Sequence, residues 1–162
     1  MEREQILEKL LKSYTRYYDI EREGIEAPFC ARALFRSHNE QYFLIKVAKV
    51  ADIDSNETVY FAVTEGLDRS KLDYLCSCAW ERGLEGIEPQ YGHRNSDVTL
   101  YIIADSIDQE LIPVIKKIKY SKSYKHGMYG WSDFRLVAIE ASEMKATYNR
   151  QGRQLKKLVG NI

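Results

Sequence analysis

The stretch from Lys116 to Trp131 has the residue types in this chain best suited to chemistry. Lys116, Lys117, Lys119, Lys122 and Lys125 are interleaved with Tyr120, Tyr124, Tyr129 and Trp131, and no acid interrupts them. Ammonium groups neutralise phosphates and aromatic rings stack on bases, so this pattern suits a single-stranded nucleic-acid binder. The candidate ligand-binding residues are Lys119, Lys122, Tyr124, Lys125, His126 and Trp131. The competing reading is a solvated helix end. Lysines there complement the helix macrodipole, and the rings serve only to fold the loop onto a sheet.

The formal net charge of zero hides an asymmetry. Between Lys116 and Lys157 there are eleven Lys or Arg against Asp133, Glu140 and Glu143, a local balance of +8. The rest of the chain has thirteen positives against twenty-one negatives, or −8. Such a split provides a basic face for an anionic partner, or it is neutralised inside the fold or across a homodimer.

Other constellations point to less. Cys76-Ser77-Cys78 lacks the two-residue spacer of zinc ribbons and redox pairs, and Cys76 reads as core. His38, His93 and His126 lie far apart in predicted loops and form no two-His helical motif. No Ser stands in a Gly-x-Ser-x-Gly frame. Asp52-Ile53-Asp54-Ser55-Asn56 begins like a calcium loop, but Glu57 and Val63 stand where such a loop needs Gly and a bidentate carboxylate. That segment reads as a turn. No phosphate-cradling glycine loop is present, and no cofactor or metal site is expected. Asp133 with Glu143-Met144-Lys145 has the Asp…Glu-x-Lys form of restriction-type metal-dependent nucleases, which share an αβββαβ order. Glu143, however, follows the apolar run instead of lying within it.

These residues need elements to position them. Leu7, Leu10, Leu11, Tyr14, Tyr17 and Tyr18 recur at spacings of three and four, which predicts an N-terminal helix. Phe29–Arg36, Tyr42–Val50 and Thr58–Thr64 read as an antiparallel meander of three strands, with a hairpin connection at Ser37-His38-Asn39-Glu40. Ser70 reads as the cap of a second helix with Leu72, Leu75, Cys76, Ala79 and Trp80 on one face and Gly83 as its stop. Residues 85–97 read as a polar loop containing His93, and Val98–Ala104 as a well-buried strand. Ser106-Ile107-Asp108-Gln109 has the form of a capping box for a third helix, which either kinks at Pro113 or restarts there as a first-turn residue. Phe134–Ile139 is another strand. Residues 145–159 form either a helix or a hairpin turning at Asn149-Arg150-Gln151-Gly152, the hairpin being favoured because Gly152 weakens a helix.

The predicted fold class is α+β: one domain over 1–162, with a mixed, largely antiparallel sheet in the order αβββαβαβ and helices mainly on one face. The absence of a long apolar run excludes a membrane helix, and the charged start with free thiols predicts a cytoplasmic protein. The His-containing loop, the Lys-Tyr-rich helix end and the Gly127-x-x-Gly130-Trp131 turn are similar to small bacterial proteins of unknown function, a resemblance that implies no activity. The expected function is a non-enzymatic binding or regulatory module that contacts nucleic acid or another anionic partner through residues 116–135. The alternatives are a metal-dependent nuclease or hydrolase, using His93, His126, Asp105 or Glu143, and a structural homo-oligomer.

Overall fold

The computed structural model describes residues 1–35, 55–85, 95–127 and 130–162. Helix α1 (Arg3–Tyr14) is followed by β1 (Tyr18–Glu21), β2 (Ala31–Phe35) and β3 (Ser55–Leu67). Helix α2 (Arg69–Glu85) leads to β4 (Asn95–Ile107), and helix α3 (Leu111–Lys117) to β5 (Ser121–Ser123) and β6 (Trp131–Glu140). Strand β7 (Lys145–Tyr148), a 3-10 turn at Gln151–Leu155 and helix α4 (Lys156–Gly160) complete the chain.

The seven strands form one mixed sheet in the order β1-β2-β3-β4-β6, with β5 and β7 both pairing to β6. β3, β4 and β6 run parallel, and the remaining pairs are antiparallel. The expected α+β class and mixed, mainly antiparallel sheet are thus observed. The antiparallel meander is also present, but with different members. β1, which continues the three-and-four spacing of α1 and so reads as helix, is the first strand, and β2 pairs directly with β3. The expected strand Tyr42–Val50, the connection at Ser37–Glu40, Asp52-Ile53-Asp54, His38, His93 and Tyr129 lie outside the described residues. Ser55 and Asn56 belong to β3 instead of a turn.

The helices cover both faces of the sheet, not mainly one. The apolar run Val98–Ala104 lacks a polar face, so β4 is stable only when both its sides are covered. The crossovers β3–α2–β4 and β4–α3–β6 step the same way along the sheet, and a common handedness puts α2 and α3 on one face. There Leu72, Leu75, Cys76, Ala79, Leu111 and Ile115 pack on Tyr60, Leu100, Ile102 and Phe134. The expected α1 stripe of Leu7, Leu10, Leu11 and Tyr14 packs with Ile6 on the opposite face, against Phe61, Tyr101, Ile103 and Val137, where Val159 of α4 joins it.

Three expected helix signals have other roles. Asp68, not Ser70, caps α2: its carboxylate accepts from Lys71 N at 2.8 Å and its carbonyl from Leu72 N at 2.9 Å. Gly83 lies within α2 and does not stop it. A Cβ there would fall 2.8 Å from Val98 Cγ1 and closer still to Cγ2, so the glycine lets the helix approach β4. Ser106 and Ile107 remain in β4, because the β3 register continues to Leu67↔Ile107 and the buried Glu140 carboxylate accepts from Ile107 N at 2.7 Å. Helix α3 therefore starts later, and Pro113 takes its third position, where a missing N–H costs nothing.

Candidate functional site

The basic half of the sequence is gathered at one edge of the sheet. β5 occupies the β6 edge opposite Trp131–Asp133, and β7 occupies it opposite Val137–Glu140. The gap between them is closed by Asn149, whose side chain is 1% exposed. Its Oδ1 accepts from Leu136 N at 2.9 Å and Gly152 N at 2.7 Å, while Nδ2 donates to Phe134 O at 2.9 Å and Ile118 O at 3.1 Å. Every hydrogen-bonding capacity of the amide is used. Gly152 sits so close that a Cβ would meet Asn149 Oδ1 at 2.8 Å and Leu136 O more closely still. The tail is therefore neither the expected hairpin about 149–152 nor one helix. It is a strand to Tyr148, then a side-chain-capped turn into α4. Because Asn149 binds Ile118 O, the tract 116–125 and the tract 150–157 adjoin.

Of the eleven cations between Lys116 and Lys157, Arg135 is the one paired with carboxylates among the described residues. Arg135 Nη1 donates to Glu57 Oε2 at 2.9 Å and Nη2 to Asp97 Oδ2 at 2.8 Å. The other ten are exposed: Lys116, Lys117, Lys119, Lys122 and Lys125, then Lys145, Arg150, Arg153, Lys156 and Lys157. None of these ten is paired with a described carboxylate. Of the local acids Glu140 is buried and Asp133 half-buried, so only Glu143 is fully exposed. Among the described residues, internal neutralisation thus accounts for one cation of the eleven.

Each expected ligand-binding residue has a definite place. Lys119, Lys122, Lys125 and His126 are exposed, and Trp131 is 46% exposed. The loop between β5 and β6 is closed by Tyr124 N donating to Gly130 O at 2.9 Å and Gly127 N to Tyr124 O at 3.0 Å. Lys125 and His126 form its tip in the left-handed region, at φ 50° and 55°. That conformation costs a non-glycine residue about 1–2 kcal/mol. Tyr124 differs from expectation, because its ring is buried. Its hydroxyl shares a 2.9 Å hydrogen bond with Ser132 Oγ, and the Lys122 ammonium lies 5.5 Å from the ring centre. Tyr124 anchors the loop, and Trp131 is the exposed ring. The contributions of Arg150, Arg153, Lys156 and Lys157 were visible in the charge count, but nothing local in the sequence placed them beside 116–125.

A second polar cluster was not foreseen. Glu57, Asp97, Thr99 and Arg135 lie on the α1 face near the N-terminal ends of the parallel strands. Thr99 Oγ1 donates to Glu57 Oε2 at 2.7 Å, the Tyr18 hydroxyl donates to Glu57 Oε1, and Asp133 N donates to Asp97 Oδ1 at 3.2 Å. Burial raises the Asp97 carboxyl to about 6, against the pull of Arg135 and the Asp133 amide. Although burial disfavours the Arg135 charge, Glu57 and Asp97 together outweigh that and raise its pKa. At Asp97 burial is the main cause and the like-charged Glu57 adds to it, whereas the Arg135 charge is held by two carboxylates at once. Burial, together with Glu57, also raises the Tyr18 hydroxyl. The cluster is internally satisfied apart from Arg135 Nε, which is buried without a partner.

Among the described residues expected for an enzyme, Asp105 and Glu143 share the C-terminal end of the parallel strands, where Ser142 N donates to Asp105 O at 3.2 Å. His126, in contrast, precedes β6 at the opposite end. Asp105 is bound to Arg3 at 3.0 Å, near the C-terminal end of β4. Asp133 is the third residue of β6 and Glu143 follows its far end, on the order of 20 Å away along a strand. Among the described residues no group of three or more His, Cys, Asp or Glu is placed to hold a metal ion. Burial pushes the Cys76 thiol up to about 12, as befits a core residue. The exposed large apolar side chains among the described residues, Met1, Tyr74, Trp131 and Met144, come from separate elements. No described helix is long and apolar enough to cross a membrane.

No curated protein and no solved structure matches this chain. Its relationship is nevertheless visible along nearly its whole length: the chain belongs to the family described as Domain of unknown function (DUF8052), matched over residues 2–161.

Proposed function

We propose that this chain is a binding module that takes a single-stranded nucleic acid along its basic edge. The observation that supports this reading is the set of ten exposed cations, drawn from two tracts that Asn149 holds together, without a described carboxylate partner. Trp131 adds an exposed ring beside the Lys125–His126 tip, and a base can stack there. The left-handed backbone of that tip is tolerated where it presents side chains for contact. The reading requires no chemistry at the bound strand.

The test is fluorescence anisotropy of a labelled mixed-sequence single strand, titrated across salt concentrations. Each phosphate contact contributes about −0.7 to the slope of log affinity against log salt. Changing Lys119, Lys122 and Lys125 to Ala together should make that slope shallower by about 2, and so should changing Arg150, Arg153 and Lys156. Trp131→Ala should weaken binding by about 1–3 kcal/mol with the slope unchanged, because stacking releases no counterions. Absence of binding at low salt would sink the proposal. Equal affinity for a duplex of the same length would remove the stacking component and leave a general polyanion binder.

A further inference from the structure

Away from the basic edge, the C-terminal turns of α2, the loop 24–29 and the faces of β2 and β3 enclose a cavity of ≈ 370 Å³. That volume lies within the range of small-molecule sites, roughly 300–1,000 Å³. It is lined by Arg32, Arg82, Phe29 and Tyr60 and by the carboxylates Glu26 and Glu85. The rings of Phe29 and Tyr60 lie 4.7 Å apart, and the Arg82 guanidinium sits 5.3 Å from the Phe29 ring centre. The cavity therefore combines the edges of two tilted rings, each 4% exposed, with two arginines held by neighbouring groups.

Both arginines are held in place with donors to spare. Arg82 Nη1 donates to Glu26 O at 3.2 Å and Nη2 to Ala27 O at 2.8 Å. Arg32 Nε donates to Glu21 Oε2 at 2.9 Å, and its Nη2 donates to the same oxygen. A guanidinium carries five N–H groups, so neither is exhausted by these partners. The described charge pairing of Arg82 is loose: Glu26 Oε2 is 3.9 Å away on a side chain that is 86% exposed. A solvated pair of this kind contributes little and is easily exchanged.

We propose that this cavity binds a small organic anion, a carboxylate or a phosphate monoester. The anionic group accepts from the unspent donors of Arg82 and Arg32, and the rest of the molecule meets the ring edges of Phe29 and Tyr60. Glu26 is the occupant it displaces. Charge-assisted bonds from a pre-positioned guanidinium are the strong kind, and apolar contact with the rings adds to them. This site is separate from the nucleic-acid edge, and the two can fail independently.

Isothermal titration with benzoate, phenyl phosphate and the neutral benzyl alcohol tests the proposal. Saturable binding of either anion without the alcohol is expected, and the tighter of the two identifies the head group. Arg32→Gln and Arg82→Gln should each weaken that binding about tenfold or more. Because Arg82 also supports the 24–29 loop, the decisive variant is Glu26→Gln, an exposed change that spares the fold. It should tighten binding a few-fold by removing the competing carboxylate. The triple Ala change at Lys119, Lys122 and Lys125 should leave binding unchanged. Failure of both anions to bind at millimolar concentration, equal binding of the alcohol, or indifference to both Arg32→Gln and Glu26→Gln would overturn the assignment.

Discussion

Replacing Asn149 with Ala should cost this protein a large part of its stability. The side chain makes four hydrogen bonds in a site that is 1% exposed, and alanine makes none of them. Leu136 N and Gly152 N lose their acceptor, while Phe134 O and Ile118 O lose their donor. A buried polar group left unpaired costs about 1–3 kcal/mol. A water entering the vacated space can recover one or two of the four. The net loss expected is therefore about 3–5 kcal/mol, from a domain stability on the order of 5–15 kcal/mol. With a urea slope of about 2 kcal/mol per molar, the unfolding midpoint should fall by about 2 M.

Volume and hydrogen bonding separate in Asn149→Asp, which keeps the size and the acceptors but loses both donors. At neutral pH it should be at least as unstable as the alanine variant, because its carboxylate faces two carbonyl oxygens. Lowering the pH should restore part of that loss by protonating it. Urea denaturation followed by circular dichroism measures both variants. A cost below about 1 kcal/mol for Asn149→Ala would refute the reasoning, because it would mean that β5, β7 and the tail stay joined to β6 without the amide.

Two further outcomes test the packing and the buried charge. Asp97 is raised to about 6 in the folded protein, above its unfolded value near 4, so the folded state holds this proton more tightly and ionisation weakens the fold as pH rises from about 4 to 6. Asp97→Asn should therefore gain up to about 3 kcal/mol relative to the parent across that window, and a relative loss would show that Arg135 outweighs burial. Gly83→Ala should destabilise by about 1–3 kcal/mol through overlap with Val98, despite alanine's better helix propensity. Adding Val98→Ala should recover at least about 1 kcal/mol of that cost, and strict additivity of the two changes would count against the contact.

The elements that were legible in the sequence are those whose signal is local and periodic. The α1 stripe of Leu7, Leu10, Leu11 and Tyr14 and the α2 stripe of Leu72, Leu75, Cys76 and Ala79 are buried as their spacing requires. The apolar run within β4 was readable for the same reason. What could not be read depends on partners far along the chain. Tyr18 continues the helical spacing, yet it is in β1 because the register Tyr18↔Phe35 supplies ladder bonds that the helix would forgo. Ser106 begins a good capping motif, but pairing with β3 outlasts it. Asn149 and Gly152 look like a hairpin turn because their type is right for one. The Asn149 partners Leu136, Phe134 and Ile118 lie 13, 15 and 31 residues away, and no local pattern encodes them.

The same distinction governs the candidate site. A count of charges places a basic half and an acidic half in the sequence but cannot say which charges meet. Arg135 and Lys122 contribute equally to that count, and their fates are opposite. Arg135 is on the α1 face of a central strand, where Glu57 and Asp97 stand on the next two strands; its charge is consumed there at a desolvation cost that Asp97 still registers. Lys122 lies on a three-residue strand at the sheet margin, where its nearest described partner is the Tyr124 ring and its charge remains available. Among the described residues the excess over internal pairing is ten cations to one, and that excess turns a compositional asymmetry into a surface. A polyanion that bound this edge would be read by its phosphates through the two tracts and by a single base through Trp131. Charge-removing variants should therefore change the salt dependence, and the tryptophan variant should change affinity alone.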